Sequence, residues 1–546
     1  VKRERLAVAG LLAALSLQLV YGAVSDGATD DEYAYLGSGV RHLGGDFRIC
    51  PEHPPLAKLI GALPLQLTPL ALPKARPEDD PWDEDPWEWT QRLIALNPGA
   101  PLLGLARSSM VALSLLVALL TWAWARRAAG PRAGVLALAV VAFHPALLAH
   151  GHLVTIDLAT AFFMLAASGG CRLFLLSPTP WRGVLVGLAL GLAVVTRFTA
   201  WILLPVFGLL ALIAWRRSEA RRAERTRAAL LLCASLALVP VVIWACYGFR
   251  FAPRPGPPER SASWPEGAAG SLLARASDAR LLPQAYLEGL RIQLAHNDAG
   301  HAAYLLGERS TSGWWRYFLV VLLVKSTPGF LLLLALAGWL AARGARPPDA
   351  SHWLVPAAAV FLVASAGRIH IGERYVLAAY PYLILWIAAS CAASWQSGMV
   401  RGLVWLALAA HAAPTLLVAP RGYLTYFNSI AGGPDGGHRW LADSNLDWGQ
   451  DLPRLAAWMK RNQVARVQLA YFGTDDPDRY GIAHDDLPTT YSIHAPHLAA
   501  EPLAGTIVVS PNLLLGFLFP PGQDPYRALR ERPPDARAGI FFVFRR

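Results

Sequence analysis

Acidic and basic side chains crowd one stretch near the amino end, from Asp30 to Pro64, which reads DDEYAYLGSGVRHLGGDFRICPEHPPLAKLIGALP. Asp30, Asp31 and Glu32 open it, and Glu52-His53-Pro54-Pro55 and Lys58 follow further on. A carboxylate in such a cluster can take a proton from an attacking group, and a cation can hold negative charge as it develops. The stretch follows the first strongly apolar run, which places that chemistry at a membrane surface and on a charged substrate. The plainer alternative is a solvated loop whose charges only keep it wet.

The elements that must position these groups are set by composition. Of the 546 residues, 54% are hydrophobic and 16% are charged, and the mean hydropathy is +0.35. A soluble chain carries roughly a quarter charged residues. The apolar residues gather in runs close to the ~20 residues that a helix needs to cross the hydrocarbon core. The expected fold class is therefore a polytopic α-helical membrane protein. The 20 tryptophans often flank the apolar runs, as interfacial anchors do. The net charge of +11 is read as topology and not as a nucleic-acid footprint.

The expected spans are the amino-terminal run to Val24, then 102–124, 134–149, 153–175, 183–197, 200–215, 228–248, 314–341, 353–366, 375–393 and 400–418, about eleven in all. RRSEARRAERTR at 216–227 holds six arginines against two glutamates, the strongest inside marker. Arg126-Arg127, Arg343, Arg346 and Arg401 fall on the same side, in keeping with the positive-inside rule. The amino end is expected in the cytoplasm on a retained first helix. The outer loops are then 25–101 and 249–313, and everything after residue 420 lies outside. From 421 to 546 apolar runs shorten to strand length, as in RVQLAYF, GTIVVS and GIFFVF, with a helical DLPRLAAWMKRN between. A small soluble α/β domain is expected there. The five cysteines are scattered without paired spacing, so neither a disulfide framework nor a cysteine zinc site is indicated. There is no glycine-rich phosphate loop, hence no nucleotide cofactor is expected.

With that topology the outward polar residues form a set. The first loop gives Asp31, Glu32, Glu52, His53 and Lys58; the junction HPALLAHGHLVTIDLAT gives His150, His152 and Asp157; Arg197 ends the fifth span. The second long loop gives His296, His301, Glu308 and Arg309, and the turn before the tenth span gives His370, Glu373 and Arg374. Ionisable groups at the hydrocarbon boundary are costly unless paired or lining a wet cavity. Asp157 either caps the amino end of its span or supports catalysis, and the two roles are compatible. Such a set suits a substrate carried on a lipid phosphate. Cations (Lys58, Arg197, Arg309, Arg374) would hold the departing phosphate, while a carboxylate would deprotonate an acceptor. Glu52 with a histidine from another loop suits a divalent metal such as Zn, Mg or Mn.

The order Asp31-Glu32, then PEHPPLAK, then the acid in LVTIDLA resembles the C-type-fold glycosyltransferases that use lipid-phosphate sugars. Within them it is similar to the protein O-mannosyltransferases and the bacterial aminoarabinose transferases. GHAAYLLGERSTSGWWRYF at 300–318, KSTPGF, GERYVLAAYPYLILW at 372–386 and DSNLDWGQDLPRL at 443–455 add to the likeness. It covers about residues 6 to 420 and part of the tail. The resemblance implies a polyprenyl-phosphate sugar used from the outer face of a bacterial inner membrane, with a protein, lipid or glycan as acceptor and no nucleic acid. It implies Asp31 as base, with Glu32 and Asp157 in support. It implies carrier-phosphate contacts near His53 and Arg374, beside the Lys58 and Arg197 read from charge, although the aminoarabinose branch has Lys where this chain has His53. It implies a metal at Glu52 and His301, with His296 in reserve. The expected reaction is direct displacement at the sugar carbon, with inversion. Two other classes fit parts of the pattern: a transporter or lipid-linked-sugar flippase, which would show paired broken helices, and a non-catalytic envelope glycan-binding protein, for which one span would suffice.

Overall fold

The computed structural model describes residues 2–74, 84–217, 221–255, 264, 267–489, 505–520 and 522–545. Residues 218–220 of the arginine-rich loop, and parts of both long outer loops, lie outside the described residues. The chain is a bundle of apolar helices with a small sheet on its carboxyl-terminal part.

Seven helices among the described residues are long and apolar enough to cross a membrane, or eight if one bent pair counts as a single span. The sequence led to about eleven, and the difference has local causes. The helical run Leu102–Ala142 contains non-helical backbone at Ala129 and Gly130. A β-carbon on Gly134 would lie 2.8 Å from Cβ of Arg126 and 3.1 Å from the Trp122 ring. In a straight helix residues 122 and 134 sit about 18 Å apart. The run is therefore a hairpin, turned where Gly130 takes φ +87° ahead of Pro131. Its first arm runs beside helix Lys2–Ser25. Glu4 pairs with Arg126 at one end, and Ala23 and Asp26 accept from Arg107 at the other, so the two are antiparallel.

The second arm stops at Ala142 instead of running to 149, because Pro145 starts a separate short helix, Pro145–Gly151. Pro328 similarly breaks the expected span 314–341 into Tyr317–Lys325 and Pro328–Ala342, which meet at 114°. Thr327 caps the second piece through the Phe330 amide. Pro180–Val194 and Ala350–Ala366 are shorter apolar helices. The most buried long helix is Glu373–Ala393, which packs against the hairpin and against Ala350–Ala366.

The opening acidic stretch is more ordered than a polar loop. Asp30–Leu43 is a helix whose first turn is closed by a capping box between Thr29 and Glu32. After an extended passage, Pro54-Pro55 precede a second helix, Leu56–Ala62, as proline favours at a helix start. Helix Gln284–Ala299 lies on this passage so closely that a β-carbon on Gly289 would collide with the Pro51 carbonyl. Gly289→Ala is expected to cost about 1–3 kcal/mol by overpacking, read as a lower melting temperature of the purified chain. An unchanged melt would mean that the Pro51 passage is free to move.

A hairpin of β1 (Ala303–Leu305) and β2 (Glu308–Ser310) sits in the second outer region, and Leu305 bridges to Leu441 of the tail. The tail forms a five-stranded sheet of β3 (Val467–Ala470), β4 (His484–Asp486), β5 (Thr506–Val509), β6 (Ala536–Ala538) and β7 (Phe541–Arg545) in the order β4-β3-β5-β7-β6. β3 pairs in parallel with β4 and β5, while β7 pairs antiparallel with β5 and β6. Helix Leu452–Arg461 covers one face. The three apolar runs expected as strands form β3, β5 and β7. The two outermost strands, β4 and β6, were not read from the sequence because they are three residues long and weakly apolar.

Candidate active site

The first turn of helix Asp30–Leu43 presents Asp31, whose carboxylate accepts from two donors. Tyr35, one turn later, donates from its hydroxyl at 3.1 Å, and the Arg374 guanidinium pairs with the same oxygen. Burial, then the Asp31 charge, keep the Tyr35 phenol well above its ordinary pKa, so it remains a donor. Asp31 is still 15% exposed at its side chain, enough for a proton-bearing group to approach. Arg374 is held from below by the Trp448 ring, 4.3 Å from its centroid. Asp31 and Arg374 are thus brought together from positions 343 residues apart in the chain.

Glu32 points elsewhere. Arg107 meets it with two bonds, at 2.8 and 2.6 Å, while the Thr29 and Val154 amides donate at 3.0 and 2.9 Å. The remaining Arg107 donors go to the carbonyls of Ala23, Asp26 and Gly27. Burial would raise the Glu32 carboxyl, but Arg107 and the two amides hold it below the ordinary carboxylate range. Glu32 is fully buried, and its bonds tie the first helix, the hairpin and the 151–155 turn together.

Beside Asp31 and Arg374 lies a cavity of about 450 Å³. Its polar end carries His53, Asp157, Arg197 and Arg374, and its walls are apolar, with Ile202, Leu290, Leu294, Val360 and Val363 among them. Asp157 sits in the first turn of Ile156–Leu176 behind Thr155, which is the N-cap. Asp157 is not the cap itself: one oxygen pairs with Arg197 and the other is buried with no partner among the described residues. Arg197 also lies over the Tyr375 ring at 4.6 Å. His53 packs edge-on against Tyr35 at 5.6 Å. Burial, then Lys58, Arg197 and Arg374, lower its pKa well below the usual imidazole value, so it is neutral and can accept or donate a hydrogen bond.

The remaining expected residues divide. Lys58 is buried and donates to the Cys50 carbonyl at 2.6 Å, which fixes the passage before the prolines and uses one of its three donors. Glu52 accepts from the Cys50 thiol at 3.2 Å. His296 and His301 bond each other at 3.1 Å through Nε2 and Nδ1. Burial is the first cause lowering both imidazoles, with His301 acting on His296 and Arg374 acting on His301. Among the described residues no three His, Cys, Asp or Glu side chains converge as a metal site. Two imidazoles whose facing nitrogens share one hydrogen bond do not both offer those nitrogens as ligands. As they stand, the described side chains present no three-ligand centre, although the Glu52 charge acts on His296.

Arg309 donates to the Phe519 carbonyl and Glu308 faces Arg316, both away from the cavity. His370 accepts the Trp314 amide, Glu373 accepts from Tyr380, and His152 pairs with Asp26. His150 is buried against Trp448, at 5.9 Å. Sequence reasoning missed Arg107, Tyr375 and Trp448. Arg107 carried a signal, since a charge inside an apolar run needs a buried partner. So did Thr29-x-x-Glu32, a capping-box spacing.

The family described as Dolichyl-phosphate-mannose-protein mannosyltransferase matches residues 48–254. No curated protein sequence matches the chain. Among solved structures, ArnT from Cupriavidus metallidurans is 15% identical with a TM-score of 0.48, over 98% of this chain and 97% of that one. The Pmt1-Pmt2 protein O-mannosyltransferase complex of S. cerevisiae is 18% identical with a TM-score of 0.35, over 45% and 33%. An oligosaccharyltransferase from Archaeoglobus fulgidus is 13% identical with a TM-score of 0.46, over 91% and 61%.

Proposed function

We propose that this chain is an integral-membrane glycosyltransferase that moves a sugar from a polyprenyl-phosphate carrier to an acceptor on the outer face of a bacterial inner membrane. The observation that carries the reading is the cavity beside Asp31, with apolar walls and two arginines at its polar end. An isoprenoid tail needs such walls, and a phosphate needs such cations. The match to the mannosyltransferase family over 48–254 spans the loop with Glu52 and His53, as well as Asp157 and Arg197. A transporter built on inverted repeats pairs two broken helices; the described residues contain one bent pair. The membrane portion is residues 1–420 and the outer α/β domain 421–546.

In this reading the lipid phosphate lies between Arg197 and Arg374, with His53 donating to it. Asp31 takes the proton from an acceptor hydroxyl or amine as that atom bonds to the sugar carbon. The carbon–oxygen bond to phosphate breaks on the opposite side, and its electron pair leaves with the lipid phosphate. One displacement inverts the sugar carbon. Asp157 keeps Arg197 aimed at the phosphate. The direct test incubates purified chain with labelled polyprenyl-phosphate sugars and follows release of free polyprenyl phosphate. No release from any hexosyl or pentosyl donor would remove the reading.

Arg197→Ala is expected to raise the donor KM by roughly ten- to a hundredfold, since a hydrogen bond to a charged group contributes about 1.5–3 kcal/mol. Arg197→Lys should recover only part, because an ammonium cannot match a planar fork. Inhibition by free undecaprenyl phosphate should weaken in step with KM. A KM unchanged in both variants would place the phosphate elsewhere.

A further inference from the structure

We infer that helix Gln284–Ala299 reads the sugar of the donor, with Gln293 and Asn297 hydrogen-bonding ring hydroxyls beside the carrier phosphate. The inference rests on the transferase reading and names the residues that select among donor sugars.

One stripe of this helix faces the cavity. Leu290, Gln293, Leu294 and Asn297 all line it, at the spacing that puts residues on one side of a helix. Two are apolar and two are amides. Elsewhere the wall is apolar, at Ile202, Val360 and Val363. An isoprenoid chain offers an amide nothing to bond, and an amide that gives up water without a new partner costs free energy. The amide-bearing wall is therefore unsuited to the lipid tail. It suits the part of the donor that is rich in neutral hydroxyls, which is its sugar.

The contacts of the stripe place it toward the polar end of the cavity. Gly289, one turn before Gln293, packs on the Pro51 carbonyl, and His53, two residues further along that passage, lines the same cavity. At the other end the Asn297 side-chain oxygen accepts the Arg368 amide at 3.1 Å. The His301 amide donates to the Arg368 carbonyl at 3.3 Å, which ties the helix end to the segment leading into Arg374. With its oxygen engaged, Asn297 still has its N–H donors. Among the described residues nothing bonds the Gln293 amide, so it can both donate and accept. Both side chains are half-buried, so a ligand in the cavity can reach them.

A sugar ring attached to a phosphate between Arg197 and Arg374 presents its hydroxyls to this stripe. Gln293 bonds one as donor or acceptor, and Asn297 bonds another as donor. Neither residue is charged, so the selection is by hydroxyl position and not by charge. A site that hydrogen-bonds a hydroxyl rejects the analogue lacking it, because its own polar group is then left unpaired. No bond to either residue forms or breaks during transfer.

The test uses the full chain, a polyprenyl-phosphate hexose that it accepts, and donors that each lack one ring hydroxyl. Wild type should prefer the parent to the analogue without the bonded hydroxyl by about two- to tenfold in kcat/KM, the contribution of one neutral hydrogen bond. Gln293→Leu keeps the bulk and removes the amide, and should erase that preference by slowing the parent to the rate of the analogue. Asn297→Asp keeps the oxygen that Arg368 uses and removes the N–H donors, and should erase the preference at a second hydroxyl. Any uniform effect of the new charge or of altered packing cancels in the ratio of parent to analogue, so that ratio moves only with a direct contact. Inhibition by free polyprenyl phosphate, which carries no sugar, should keep its wild-type strength in Gln293→Leu. Three results would overturn the inference and leave the transferase reading intact. They are no wild-type preference for any hydroxyl, wild-type ratios in both variants, or phosphate inhibition that weakens in Gln293→Leu as much as donor turnover does. A wild type inactive on every polyprenyl-phosphate sugar would remove the reading and the inference together.

Discussion

Asp31→Asn is expected to lower kcat for sugar transfer by about 10²–10⁴, the range that a positioned general base contributes, with donor KM changed little. Asparagine keeps the size of the side chain and can still accept from the Tyr35 hydroxyl, which bonds Asp31 at 3.1 Å. It cannot take the acceptor's proton. The Asp31–Arg374 pair is largely buried, so replacing its carboxylate by an amide should cost on the order of 1–3 kcal/mol of stability, and the melt should fall by that much. The loss in the chemistry is therefore read as activity per folded molecule. Release of polyprenyl phosphate to water, measured without acceptor, provides a second reading: a weaker fall there than in transfer is the mark of a base that serves the acceptor. Activity within twofold of wild type would place the base elsewhere, and Asp157, with one buried oxygen unpartnered, would be the next group to test.

The separation of Asp31 from Glu32 shows where sequence reading succeeds and where it stops. That the chain spans a membrane with a sheet-bearing tail was legible, because apolar runs and strand-length runs are one-dimensional signals. The charge density of 30–58 beside a span was legible too. Which carboxylate does what was not. Asp31 and Glu32 are adjacent, but a helix turns successive side chains by about 100°, so one faces Arg374 and the other Arg107. Lys58 read as a phosphate ligand, and one of its three donors goes to the Cys50 carbonyl, a contact made by the fold of its own loop. His296 and His301 read as metal ligands, and a five-residue spacing that runs past a helix end sets them against each other. The tail's contribution was the least legible. DSNLDWGQ carries charge and one aromatic, but only the tertiary fold sets Trp448 under Arg374. The span count was legible in segments but not in lengths, since Pro145 and Pro328 cut two runs that read as continuous.

If Glu32 is structural, its variants must fail differently from those of Asp31. Arg107→Met would leave a buried carboxylate without its cation and the carbonyls of Ala23, Asp26 and Gly27 without their donor. Removing one partner of such a pair costs about 3–5 kcal/mol, a large part of the 5–15 kcal/mol typical of a folded domain. Glu32→Gln should cost somewhat less, because its amide oxygen can still accept from Thr29 or Val154, whose amides lie 3.0 and 2.9 Å from the present carboxylate. The double variant Glu32→Gln with Arg107→Met should be less damaged than the sum of the two, since no unpaired charge then remains buried. Melting temperature and yield of the detergent-purified chain read these effects. The deciding comparison is activity per folded molecule. For Glu32→Gln it should stay within a few-fold of wild type, whereas for Asp31→Asn it collapses in chains that still fold. A Glu32→Gln protein that melts normally and yet transfers no sugar would return Glu32 to the chemistry, and the capping box would then be incidental to its role.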